Sequence, residues 1–79
     1  MELSPQTRDE KLTDEFVEAY VRWREECEAV RAAYERFAQS APARRDLDFA
    51  MYRAALYREE LAARVYQDTV ESLAVRGPR

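Results

Sequence analysis

Histidine is absent from this chain, and it has a single cysteine, a single glycine and a single lysine. Each shortage closes a class of function. Without an imidazole no Ser–His or Cys–His nucleophile pair can be assembled, and one thiol with no His cannot make a Cys/His zinc site. Cys27 alone excludes an internal disulfide framework and points to a reducing, cytoplasmic setting. Gly77 is the only glycine, so there is no Gly-rich loop to cradle phosphate. No run of about 18 apolar residues occurs, nor a basic stretch leading into an apolar one, so neither a membrane span nor a signal peptide is expected. Thirteen basic against sixteen acidic residues leave a net charge of −3, the wrong sign for general binding to nucleic acid. The expectation is a protein that is not an enzyme, needs no cofactor, and has no nucleic-acid or membrane partner.

What is present is helix-forming. Hydrophobic residues make up 47% and charged residues 37% of 79 positions, with many alanines, and the three prolines lie away from the middle of the periodic runs. Three start signals crowd the N-terminal region: Ser4-Pro5, the capping box Thr7-Arg-Asp-Glu10, and Thr13-Asp-Glu. From there Phe16, Tyr20, Trp23, Cys27, Val30, Tyr34 and Phe37 follow one another at alternating spacings of 4 and 3, a heptad stripe. Pro42 interrupts it, and Asp46 and Asp48 suit the first turn of a second helix, facing the positive end of its dipole. Gly77 and Pro78 fit its end. The reading is therefore a polar, partly helical segment at 1–12, helix 1 over about 13–40, a turn at 41–45, helix 2 over about 46–76, and a tail at 77–79. Helices of roughly 28 residues are about 40 Å long. Joined by a short turn, they form an all-α, antiparallel two-helix hairpin.

Helix 2 carries a matching stripe: Phe49, Tyr52, Leu56, Glu59, Ala63, Tyr66, Val70 and Leu73. Folding the chain at Pro42 sets positions that sum to about 85 or 86 opposite one another. Phe37 then faces Phe49, Tyr34 faces Tyr52, Tyr20 faces Tyr66, Trp23 faces Ala63 and Cys27 faces Glu59. The glutamate breaks an otherwise apolar stripe. A carboxylate there must reach the solvent at the helix edge, be hydrogen-bonded as a register-fixing core group, or serve a ligand. The Trp23 indole and the hydroxyls of Tyr66, Tyr20 and Tyr52 are the available donors. Glu59, Trp23, Tyr66 and Cys27 form the expected polar part of the core.

Leu47, Met51, Ala54, Leu61 and Val65 recur at helical spacing on another side of helix 2, with Tyr57 beside them. A helix that is apolar on two sides is not satisfied by one neighbour. These six residues are the expected interface, and pairing into a homodimeric four-helix bundle is the simplest closed arrangement. Another protein's helix is the alternative occupant.

The segment Glu59-Glu-Leu-Ala-Ala-Arg-Val-Tyr66 resembles the Glu-Glu-x-x-His-x-x-Tyr texture of ferritin-like and rubrerythrin-like helices. That resemblance implies a carboxylate-rich, metal-binding four-helix module with Glu25, Glu26, Glu59 and Glu60 as ligands. It covers eight residues, and Ala62 or Ala63 stands where the His belongs. A small-molecule binder with a Tyr/Trp-lined core is a further alternative. The leading expectation is a non-enzymatic, self-associating helical protein, an adaptor or regulator acting through protein–protein contacts.

Overall fold

The computed structural model describes residues 8–75, which form two helices and one tight turn. Helix α1 runs Arg8–Ala38, a single 3₁₀ turn spans Pro42–Arg44, and α2 runs Arg45–Val75. There is no strand among these residues. Helix 1 is already helical at Arg8, ahead of the expected start near Thr13; Arg8, Glu10, Lys11 and Leu12 are good helix formers. The candidate caps Ser4-Pro5, Thr7, Gly77 and Pro78 lie outside the described residues, as does the expected last helical residue, Arg76.

The turn follows from Pro42. Proline disfavours the helical region for the residue before it, and Ala41 is extended at φ −67°, ψ 154°. Pro42 itself starts the 3₁₀ turn, which is closed by the Arg44 amide donating to the Ala41 carbonyl at 2.9 Å. No residue of the described chain has a positive φ. Asp46 and Asp48 sit in the first turn of α2. Asp48 is only 5% exposed, and its carboxylate accepts a hydrogen bond of 2.6 Å from the Ser40 hydroxyl. That contact ties the residues after α1 to the start of α2.

The helices pack side by side, and the Cα trace is 13 Å deep in its thinnest direction. Among the described residues neither broad side of the pair carries a second layer. Three of the anticipated facing pairs touch: Phe37–Phe49 with ring centroids 5.3 Å apart, Tyr34–Tyr52 at 5.5 Å and Tyr20–Tyr66 at 5.7 Å. Trp23 stacks on Tyr66 rather than ending at Ala63, with centroids 5.3 Å apart and planes 8° from parallel.

The line of closest packing is shifted from the expected stripe. The buried hydrophobic residues are all alanines: Ala19, Ala33, Ala55 and Ala62. They fall on one seven-residue column in each helix, with Leu12 and Glu26 continuing the column in α1 and Asp48 and Thr69 in α2. The second column is Phe16, Trp23, Val30 and Phe37 in α1, and Tyr52, Glu59, Tyr66 and Leu73 in α2; all eight are half-buried. Tyr20, Tyr34, Phe49, Leu56 and Val70, read from sequence as seam, are instead between 38% and 51% exposed. The reason is size. Interaxial distance depends on the side chains at the contact, and alanines let the backbones approach where rings would hold them apart. The rings lie one column over, across the edge of the seam.

Candidate contact faces

Helical spacing divides the hairpin into two broad sides. On the first, the half-buried ring column is flanked by Tyr20, Cys27 and Tyr34 from α1 and by Phe49, Leu56, Ala63 and Val70 from α2. The rings gather into two clusters. Near the open end, Tyr66 is met by Phe16 at 5.5 Å, by Tyr20 at 5.7 Å and by Trp23 at 5.3 Å. Near the turn, Tyr52 is met by Tyr34 at 5.5 Å and by Phe37 at 6.1 Å, the latter pair within 2° of parallel. These separations are those of favourable ring pairs, each about 0.5–1.5 kcal/mol beyond burial. The clusters repeat two heptads apart, Tyr20-Trp23 with Tyr34-Phe37 on α1 and Tyr66 with Tyr52 on α2. Arg24 lies over the Trp23 ring at 5.9 Å and Arg45 over Phe37 at 5.3 Å.

Between the clusters is the glutamate that interrupts the stripe. The Trp23 indole N–H donates to Glu59 Oε2 at 2.7 Å, joining the helices across 36 residues of sequence. A short hydrogen bond to a charged, partly buried acceptor is worth about 1.5–3 kcal/mol, and it lowers the cost of keeping a carboxylate among apolar neighbours. Cys27 is a free, half-buried thiol on the same side. Of the donors anticipated for Glu59, the indole is the one in place.

The other side is built differently. Ala19 and Ala62 floor an open groove of about 560 Å³, walled by Leu61 and Val65 and edged by Glu15, Glu18, Arg22, Glu26 and Arg58. Arg58 Nε stands 3.5 Å from Glu26 Oε1, a pair that crosses from α2 to α1. Neither Trp23 nor any tyrosine lines this groove. The rings expected to line a small-molecule pocket pack against one another on the opposite side.

The expected interface residues are open to solvent. Leu47, Met51, Tyr57, Leu61 and Val65 are between 41% and 62% exposed, and Ala54 is exposed as well. Leu61 and Val65 belong to the groove, whereas by spacing Tyr57 projects from the back of α2. The four glutamates do not converge within one chain: Glu26 pairs with Arg58, Glu59 accepts from Trp23, and Glu25 and Glu60 are exposed. Among the described residues no three acidic or cysteine side chains are grouped to hold a metal ion. No described helix is long and apolar enough to cross a membrane.

Two features escaped the sequence reading. One is the alanine column, whose signal was present as a seven-residue recurrence of small residues. The other is Ser40–Asp48, both of which fall on the same columns as the alanines. Comparison with family models, with curated proteins and with solved structures gives no match.

Proposed function

We propose that this protein works by protein–protein contact, as a self-associating helical module of the adaptor or small-regulator kind, with no chemistry of its own. The observation that carries the reading is the mismatch between what is buried and what is exposed. The buried positions of the described hairpin are four alanines and one aspartate, whereas thirteen large hydrophobic side chains are more than a third exposed. These side chains lie on both broad sides of the hairpin, and exposed apolar surface gathered on a helix face marks an interaction site. Fully burying one large apolar side chain is worth about 1.5–3 kcal/mol, so five half-exposed ones on each of two copies offer roughly 10 kcal/mol. That is comparable with the roughly 4–15 kcal/mol cost of association, and the half-buried ring column adds to it.

Pairing of two hairpins into a four-helix bundle fits this reading, because one hairpin is a single layer and a second supplies the missing one. Native mass spectrometry of the untagged protein over a range of concentrations is the test. A dimer free of additional mass supports the proposal. A monomer at every concentration overturns self-association, and a copurifying metal ion would return the four glutamates to consideration as ligands.

A further inference from the structure

Among the described residues nothing covers either broad side of the hairpin, but the two are not equally suited to another hairpin. We propose that the ring-lined side, carrying Tyr20, Tyr34, Phe49, Leu56 and Val70, is where a second copy of this chain docks, centred on the Trp23–Glu59 hydrogen bond. This deepens the self-associating reading above and rests on it.

Dimensions come first. Each helix has 31 residues, so at 1.5 Å per residue the face is about 46 Å long. Two helices side by side make it about 20 Å wide. The resulting area of roughly 900 Å² matches the roughly 800 Å² per partner that a specific interface buries. Width also selects the occupant. A single helix would fill the furrow between α1 and α2 and leave the outer rings wet, whereas a second hairpin of equal length and width covers both.

Self-complementarity is the second argument. A two-fold interface must be able to contact itself. The two ring clusters lie two heptads apart, with the aliphatic Val30 and Leu56 and the thiol of Cys27 between them. Copies related by a two-fold axis along the helices, or by one across them, both set ring cluster on ring cluster. Glu59, the acid in the middle of that face, already has the Trp23 donor at 2.7 Å. The groove side is edged by five charged residues, Glu15, Glu18, Arg22, Glu26 and Arg58, of which Glu26 and Arg58 pair across the helices, whereas the charges at the ring side, Glu59, Arg24 and Arg45, each sit against a ring or its N–H.

The experiment uses the full chain at a series of concentrations, with Leu56→Asp on the ring side and Leu61→Asp on the groove side. Sedimentation equilibrium gives the association constant, circular dichroism the helix content, and fluorescence of the single Trp the environment of the ring face. In the wild type, Trp23 emission should move to shorter wavelength in step with dimer formation. Leu56→Asp should weaken the dimer at least about 30-fold, the minimum loss at an interface hot spot. Leu61→Asp should leave it unchanged. If the wild type dimerises while Trp23 emission stays fixed, or if only Leu61→Asp dissociates the dimer, the face assignment fails and self-association stands. If no species associates, both fail. Should Leu56→Asp lose its helices, the concentration dependence of wild-type Trp23 emission still decides.

Discussion

The two seven-residue columns that meet along the hairpin differ in almost every property, although they lie side by side on the same helices. The small column holds Ala19, Ala33, Ala55 and Ala62, all buried. The large column holds Phe16, Trp23, Phe37, Tyr52 and Tyr66, all left half-exposed. In most interiors the large residues mark the core. Here the small ones do, because two helices without a third have no other means of enclosing anything: close approach shields most of an alanine, while a ring reaches past the contact line. In the proposed dimer the large column is half of a core whose other half a second copy supplies.

Six substitutions test this difference, four in decreasing order of expected effect and two, at Ala54 and Glu59, as their comparisons. Ala55 is 1% exposed, so Ala55→Leu should force the helices apart and cost about 1–3 kcal/mol or more in thermal unfolding. The same change at its exposed neighbour Ala54 should stay within about 0.5 kcal/mol. Equal effects at the two positions would mean that the small column is not the close contact. Next, Trp23→Phe removes the donor to Glu59 and should cost about 2–3 kcal/mol in urea unfolding at fixed protein concentration. Glu59→Gln keeps an acceptor and should lose less; the reverse ranking would locate the value of the pair in the charge alone. Ser40→Ala leaves the buried Asp48 carboxylate without its hydroxyl donor at 2.6 Å, a loss of about 1–2 kcal/mol by the same measurement. Smallest is Arg58→Gln. Its pair with Glu26 is 3.5 Å long and the arginine side chain is 53% exposed, so less than about 1 kcal/mol is expected. A larger loss would show that Arg58 packs its aliphatic stem along the groove.

Much of the architecture could be read from the residues. The heptad spacing, Pro42 and the acidic pair Asp46 and Asp48 were sufficient for a helical hairpin, and folding about Pro42 placed Phe37, Tyr34 and Tyr20 against their partners. The contact line was harder, because hydrophobic periodicity marks a stripe wider than one seam and says nothing about which of its columns lies innermost. The apolar 4-and-3 spacing took in Tyr20, Cys27 and Tyr34 and left out Ala19, Glu26 and Ala33. Geometry reversed that choice, since interhelical distance is set by the bulk at the contact itself. The Trp23–Glu59 bond was legible as one of several possible donors to an out-of-place carboxylate. Ser40–Asp48 was not, since a serine after a helix and an aspartate in a first turn each have a sufficient local explanation.

The turn carries a consequence for descent. Reversing the chain without a single positive φ means that no position between Ala41 and Arg44 depends on glycine, and only Pro42 is tied to its backbone role. A lineage carrying this hairpin is free to rewrite Ala41, Ala43 and Arg44 one at a time without losing its shape. The shape depends instead on intervals: eight residues from Ser40 to Asp48, and seven between alanines such as Ala55 and Ala62. Descendants of this chain would be recognised by their rhythm sooner than by their letters.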